Sequence, residues 1–140
     1  MRRGAPLPAD VQGRLATLGR VLDARLEVRF AYLFGGAGRA ELRPLSDVDV
    51  AVYVDEAVDL VQARLELIGV VTKHLGTDEL DLVVLNRAPT ALVGRIVQTR
   101  RVITDKDPFL RHRFESLALR TFLDFRIFER RFLDARFARG

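Results

Sequence analysis

The stretch LFGGAGRAELRPLSDVDVAVYV, residues 33–54, decides the fold. An apolar run ends there on Gly35 and Gly36, and a second run, VDVAVYV, is rich in the β-branched residues typical of strands. Because successive side chains of a strand point to opposite faces, Asp47 and Asp49 are expected to project from the same face. The stretch therefore predicts two strands joined by a glycine-led loop, with a short helical turn before Pro44 and two carboxylates at the start of the second strand.

Outward from this stretch, the spacing of apolar residues predicts helices and strands over the rest of the chain. The predicted elements are a helix at 8–23, strands at 26–34 and 48–54, a helix at 56–75, a strand at 80–85, a short helix at 90–99, a small strand at 101–104 and a long helix from about 108 to 138. The predicted fold class is therefore α/β (α+β), a small mixed sheet with helices packed on it. Residues 1–140 are expected to form a single domain.

Composition excludes several classes of protein and site. The chain contains no cysteine, which excludes disulfides and thiolate metal sites. No apolar run approaches the roughly 18 residues that a membrane span needs, and the start MRRGAPLPAD lacks the apolar core of a signal peptide. A cytoplasmic protein without membrane contact is expected.

The basic charge of the chain indicates phosphate-bearing or acidic partners. The net charge is +4 and the isoelectric point is near 10.3, and lysine occurs only at Lys73 and Lys106. Charge of this sign attracts RNA, DNA, nucleotides or an acidic protein. Because the arginines are dispersed and aromatic-rich nucleic-acid motifs are missing, direct nucleic-acid binding is not expected.

Asp47 and Asp49 are candidate metal ligands. Two neighbouring carboxylates repel each other, and a divalent cation relieves that repulsion. Mg²⁺ suits hard carboxylate oxygens that are supplemented by substrate phosphates. The alternative is a solvent-facing strand edge that carries two acids.

Gly35 and Gly36 are candidates for phosphate binding. Glycine adopts positive φ and lets backbone N–H groups approach a phosphate closely, and a helix start just after it offers further donors. The alternative is a simple turn at the end of a strand.

Asp81 is a third candidate acid, in the apolar strand LDLVVL. A buried aspartate without a partner costs roughly 2–7 kcal/mol or more, so this side chain is expected to have one. One reading is an ion pair with an arginine. The other places Asp81 beside Asp47 and Asp49, where three carboxylates could hold two Mg²⁺ ions roughly 4 Å apart.

The run from Gly35 to Asp49 resembles the signature of the nucleotidyltransferases of the polymerase-β superfamily, Gly-Ser followed by ten residues and Asp-x-Asp. The fuller form of the minimal family, G-S-x-A-R-G-x5-S-D-x-D, aligns without a gap and places Arg39 and Ser46 at its arginine and serine positions. The string DLVVLNRAP, residues 81–89, is similar to the third-acid strand of the minimal nucleotidyltransferases called MNT, and FLDF, residues 122–125, resembles their terminal helix. Within this group, the chain is similar to the MntA-like antitoxins that accompany HEPN-domain RNase toxins.

This resemblance implies the nucleotidyltransferase fold and a protein adenylyltransferase that moves AMP from ATP to a tyrosine of the toxin. It implies two Mg²⁺ ions, ATP as substrate, a HEPN-domain partner and a homo- or hetero-oligomer. Asp81 would share one metal and help deprotonate the acceptor hydroxyl. The implied catalytic and metal-binding residues are Asp47, Asp49 and Asp81, and the implied nucleotide-binding residues are Gly35, Gly36, Arg39 and Ser46.

Three positions depart from the family motif. Gly36 stands in place of its serine, Gly38 in place of its alanine and Ala40 in place of its second glycine. Losing the serine hydroxyl removes one hydrogen bond to a charged phosphate, which is worth about 1.5–3 kcal/mol. That corresponds to roughly 10- to 150-fold in affinity or rate. Because all three acids are present, an active enzyme is expected.

The C-terminal helix is rich in phenylalanine. On a helix, Phe114, Phe125, Phe128 and Phe132 share one stripe, which is predicted to pack in the core, while Phe122 lies off its centre. Part of this apolar surface is alternatively a docking surface for a helical partner.

Other functions stay open alongside the adenylyltransferase. One is a weakly active or inactive protein of this fold that neutralises its toxin by binding alone, through the phenylalanine-rich helix. A second is nucleotide transfer to a small molecule, which such enzymes generally perform with an additional substrate domain. A third is a nucleic-acid polymerase, although no duplex-binding module is recognisable here.

Overall fold

The computed structural model describes residues 10–35 and 48–138 of the chain. Within them the elements are, in chain order, α1 (Val11–Asp23), β1 (Val28–Phe34), β2 (Val48–Val54), α2 (Leu60–Leu75), β3 (Leu80–Val84), a 3-10 turn (Leu85–Arg87), α3 (Thr90–Thr99), β4 (Arg101–Asp105) and α4 (Pro108–Ala138). The predicted order of helices and strands is confirmed across these residues. The helical turn predicted before Pro44 lies outside them.

The four strands form one mixed sheet in the order β3-β2-β1-β4. β1 pairs antiparallel with both β2 and β4, whereas β2 and β3 run parallel. The parallel strands β2 and β3 are connected through α2, because the chain must cross back to the end of the sheet at which β2 began before it can form a parallel neighbour. The predicted small mixed sheet with helices packed on it is confirmed.

Each face of the sheet is covered by two helices. On one face, α1 and α2 pack against strand residues that include Val50. On the other face, α3 and the first part of α4 pack against residues that include Tyr32 and Ala51. Because side chains alternate along β2, Asp49 projects on the same side as Ala51, towards α3 and α4.

Three elements begin later than predicted, and the first is α1, which was predicted from residue 8 and begins at Val11 after a turn at Asp10. α2 begins at Leu60 because Asp59 caps it, with a carboxylate oxygen that accepts a hydrogen bond from the backbone N–H of Gln62 at 3.0 Å. β1 begins at Val28, and Leu26 is 89% exposed in the turn after α1. The predictions of residue 56 and residue 26 as the starts were therefore wrong.

The end of α2 is confirmed at Leu75. Gly76 follows it with φ 72°, a left-handed conformation that glycine adopts without strain. β3 ends at Val84, one residue earlier than predicted, because Leu85 begins the 3-10 turn. No helix within residues 10–35 and 48–138 is long and apolar enough to cross a lipid bilayer.

The core assignment of the α4 phenylalanines is confirmed for Phe114, which packs against the core, and was wrong for the rest of the stripe. Phe122, expected off the centre of the stripe, is buried, whereas Phe125, Phe128 and Phe132 are 49%, 69% and 58% exposed. Phe122 reaches the core because Gly94 of α3 has no side chain, since a Cβ there would lie 2.3 Å from the Phe122 ring. The helix continues past this contact, so residues 123–135, the α4 arm, are all exposed.

A buried ion network joins the start of α4 to the sheet. Glu115 accepts hydrogen bonds from the Tyr32 hydroxyl at 2.7 Å, from Arg100 at 3.1 Å and from Arg111 at 3.0 Å. Burial opposes ionisation of Glu115, but these donors together hold the pKa of its carboxyl below the usual value. Burial, followed by the hydrogen bond to Glu115, raises the pKa of Tyr32 above its ordinary value. Tyr32 therefore stays a donor at neutral pH.

Candidate active site

Asp49 and Asp81 are brought side by side by the parallel pairing of β2 and β3. They are register partners, so their side chains leave the same face of the sheet. That face is the one covered by α3 and α4 farther along the strands. Asp49 is half-buried and Asp81 is exposed, which leaves their carboxylates at the open end of this face.

The exposure of Asp81 corrects one part of the sequence argument. A buried, costly aspartate was expected in this strand, yet Asp81 is exposed and incurs no such penalty. The alternative of an arginine partner is not found among the described residues either. None of the ion pairs formed among residues 10–35 and 48–138 involves Asp81. The strand therefore presents this carboxylate to solvent beside Asp49.

Gly35 lies directly against Asp49. It follows β1 with φ 60°, and a Cβ on it would lie 2.5 Å from a carboxylate oxygen of Asp49. Its backbone N–H donates to the Thr99 hydroxyl of α3 at 3.4 Å. Both the left-handed φ and the close approach of the carboxylate require a glycine at this position.

Several predicted site residues lie outside the described part of the chain. These residues are Gly36, Arg39, Ser46 and Asp47. The structure therefore brings together Gly35, Asp49 and Asp81 of the predicted set, and the placement of the other four stays a prediction.

The donor set is suited to a hard cation. Carboxylate oxygens are the ligands that Mg²⁺ takes from proteins, and Asp49 and Asp81 offer them from adjacent strands. Within residues 10–35 and 48–138, no three acidic or histidine side chains form a metal-binding group. The third predicted ligand, Asp47, is not among those residues.

A pocket of about 360 Å³ opens beside Gly35, and we call it the β1–α3 pocket. Its walls come from the end of β1 and from one face of α3, and they include Phe34, Gly35, Leu92, Arg95, Ile96 and Thr99. No pattern in the sequence predicted this pocket. Leu92, Arg95, Ile96 and Thr99 are spaced so that they lie on one face of a helix. The sequence does not show that this face lies beside the end of β1.

Comparison with known proteins places the chain among nucleotidyltransferases. The family model described as polymerase beta, nucleotidyltransferase matches residues 17–109. Among curated protein sequences, none matches the chain.

Solved structures share the fold over most of the chain. A toxin–antitoxin complex with AMP-PNP contains a chain that aligns with a TM-score of 0.68 and 22% identity, covering 89% of this chain and 98% of that one. The MntA–HepT toxin–antitoxin gives a TM-score of 0.65 and 23% identity, covering 90% and 98%. A tri-AMPylated HEPN toxin of Shewanella oneidensis in complex with an MNT antitoxin gives 0.65 and 22%, covering 91% and 98%.

The family model covers more than half of the chain, and its matched residues contain Gly35, Asp49 and Asp81. The mixed sheet and long C-terminal helix agree with the nucleotidyltransferase fold of these structures. The chain belongs to the polymerase beta nucleotidyltransferase family.

Proposed function

We propose that the protein is a Mg²⁺-dependent adenylyltransferase that moves AMP from ATP to a tyrosine hydroxyl of a HEPN-domain toxin and thereby acts as its antitoxin. The observation that carries this proposal is the placement of Asp49 beside Asp81 and against Gly35. The similar solved structures support the choice of substrate and partner, because they include a complex with AMP-PNP and a tri-AMPylated HEPN toxin bound to an MNT antitoxin.

The three acids would bind and orient the reacting groups. Asp47, Asp49 and Asp81 would hold Mg²⁺, which when bound neutralises phosphate charge and aligns the α-phosphate. Asp81, the most solvent-accessible of the described pair, would accept the proton of the incoming hydroxyl. The hydroxyl oxygen forms a bond to the α-phosphorus, the bond from that phosphorus to the bridging oxygen breaks, and pyrophosphate leaves with the electron pair.

The glycine loop would hold the triphosphate. Gly35, whose N–H donates to Thr99, would let the phosphates approach its backbone closely, and Gly36 would offer a backbone N–H. Arg39 and Ser46 would add a charge and a hydroxyl. Gly36 supplies no hydroxyl of its own, so we expect a slower enzyme than one with the motif serine. The acids impose the harder requirement, because without them nothing holds the cation that neutralises the charge of the triphosphate.

A second candidate function, neutralisation by binding alone, is favoured by the α4 arm. Phe125, Phe128 and Phe132 are half-exposed or more, and exposed apolar surface of this kind marks interaction sites. The arm also carries three arginines and three acids, so its charged side chains suit a partner surface that bears both signs of charge. Adenylyl transfer and neutralisation by binding both need the α4 arm to contact the toxin, but only adenylyl transfer needs the acids.

Co-expression with the HEPN-domain toxin proposed as its partner distinguishes adenylyl transfer from neutralisation by binding alone. The variants are Asp49→Asn with Asp81→Asn, the arm variant Phe128→Glu with Phe132→Glu, and the control Asp23→Asn, an exposed acid beyond the other end of β1. An adenylyltransferase predicts that the acid variant still co-purifies with the toxin yet fails to restore growth. Growth restored as fully as by wild type would instead establish binding alone. The arm variant is expected to lose co-purification in either case.

A further inference from the structure

Thr99, the last residue of α3, contacts the acidic site through one backbone group. Its hydroxyl accepts the Gly35 N–H at 3.4 Å and donates to the Arg95 carbonyl, one turn back along the helix, at 3.2 Å. Because the bond to Arg95 uses the single proton of the hydroxyl, the oxygen is left as an acceptor for Gly35. The half-buried Thr99 side chain is therefore oriented towards the start of the glycine loop.

The end of α3 is fixed relative to β1. Behind the helix, Gly94 is packed against the Phe122 ring, which leaves no room for α3 to move towards α4. Two residues after Thr99, Arg101 begins β4 and pairs with Leu33 of β1. These contacts join elements that are far apart in sequence, and they hold the Thr99 hydroxyl at a constant position beside the end of β1.

The conformation of Gly35 is permitted by its residue type but is not selected by it. Glycine adopts positive and negative φ about equally readily, so its φ of 60° needs a contact that favours it. The bond to Thr99 supplies one, because it orients the peptide that joins Phe34 to Gly35. In this conformation a Cβ on Gly35 would lie 2.5 Å from a carboxylate oxygen of Asp49, so the Gly35 backbone limits how that carboxylate can turn.

We infer that Thr99 is a positioning residue of the acidic site, which holds Gly35 and thereby restricts the Asp49 carboxylate to the orientation in which it binds the cation. This inference rests on the proposed function for the identity of the cation as Mg²⁺. Thr99 acts through Gly35 and touches neither the nucleotide nor the cation. Without its hydroxyl the Gly35 peptide can rotate, the Asp49 carboxylate gains orientations, and ordering it for the cation costs more conformational entropy.

Three variants separate the hydroxyl of Thr99 from its bulk. Thr99→Val removes the hydroxyl and keeps the shape of the side chain, and Thr99→Ser keeps the hydroxyl. Thr121→Val is the matched control, because Thr121 also donates to a carbonyl four residues back, that of Leu117 at 2.8 Å, but lies beside Thr90 at the other end of α3. Hydrogen exchange of the Gly35 amide is measured by NMR on the full chain. Binding of Mn²⁺, which takes the same carboxylate ligands as Mg²⁺, is measured by electron paramagnetic resonance with ATP present and the toxin absent.

We expect Thr99→Val to speed hydrogen exchange of the Gly35 amide and to weaken Mn²⁺ binding about three- to tenfold, the effect of losing one neutral hydrogen bond. Thr99→Ser restores both properties, and Thr121→Val changes neither. Mn²⁺ binding by Thr99→Val that equals that of wild type overturns the inference, and so does a loss that serine fails to restore, since packing would then be its cause. A wild-type chain that binds no Mn²⁺ with ATP overturns the proposed function, and the inference with it.

Discussion

Replacing Glu115 by glutamine is expected to destabilise the fold through the arginines that it leaves behind. Glu115 is 7% exposed and has Arg100 and Arg111 on its two carboxylate oxygens. Glutamine keeps the size of the side chain and can still accept the Tyr32 hydrogen bond, but it removes the negative charge. Two guanidinium groups would then be held close together with one countercharge fewer.

The expected loss is about 3 kcal/mol at pH 7, the lower end of the roughly 3–5 kcal/mol measured when one partner of a buried ion pair is removed. With a urea m-value of about 2 kcal/mol/M for a domain of this size, the unfolding midpoint moves down by roughly 1.5 M. Urea unfolding followed by circular dichroism measures this shift. The matched control is Glu129→Gln, an exposed glutamate on the same helix, which is expected to change the midpoint little.

The same network predicts a pH dependence. The donors hold the folded-state pKa of Glu115 below its unfolded value of about 4.3, so the stabilisation is complete above that value and is lost as the pH falls through the folded pKa. The difference between wild type and Glu115→Gln is therefore largest at neutral pH and shrinks in acid. A difference below about 1 kcal/mol at pH 7, or one that grows on acidification, would refute this account of the network.

Other substitutions test single contacts. Gly35→Ala is expected to lower the free energy of unfolding by about 1–2 kcal/mol, because alanine is strained at a left-handed φ. The rate of nucleotidyl transfer should fall by more than this destabilisation explains, because the methyl group displaces the Asp49 carboxylate; paired unfolding and transfer assays check this. Gly94→Ala should lower the free energy of unfolding despite better helix propensity, since overpacking against Phe122 costs about 1–3 kcal/mol and the propensity gain is about 1 kcal/mol; an unchanged urea midpoint would contradict it. Asp59→Ala removes the cap of α2 and is expected to cost about 1 kcal/mol, measured by thermal unfolding.

The central elements of the fold were predictable from local sequence. β2 and α3 have the predicted bounds, because VDVAVYV alternates around a buried valine face and the α3 segment begins after Pro89 and ends before the strand at Arg101. The starts of β1 and α2 were less predictable. Leu26 is apolar and therefore extends the strand pattern of β1 backwards, although it lies in the preceding turn and is exposed. Where β1 begins is decided by its pairing with the neighbouring strands, which the local sequence does not show.

The candidate site was partly predictable because its motif is local. Gly35 and Asp49 belong to one short signature, but their contact depends on the antiparallel pairing of Phe34 with Asp49. The neighbourhood of Asp81 depends on the register of a parallel pair, which no local pattern encodes. The expected burial of Asp81 was wrong because an edge strand near its start remains open to solvent.

Tertiary features outside the motif could not be predicted. The β1–α3 pocket and the Glu115 network each join residues far apart in sequence. The exposure of the α4 arm has the same origin, because the stripe of phenylalanines continues past the last residue that has a neighbour to pack against. A periodic pattern shows which face of a helix is apolar but not how far the rest of the domain extends along it.

The most direct test of the central claim is label transfer from α-labelled ATP. The wild-type chain, Asp49→Asn, Asp81→Asn and the control Asp23→Asn are each incubated with Mg²⁺, the labelled nucleotide and the HEPN-domain toxin proposed as the partner. We expect label on that partner with wild type and Asp23→Asn, and a loss of at least about a hundredfold with either acid variant. Equal labelling by the acid variants, or no labelling by a wild-type chain that still forms the complex and silences the partner, would contradict the central claim.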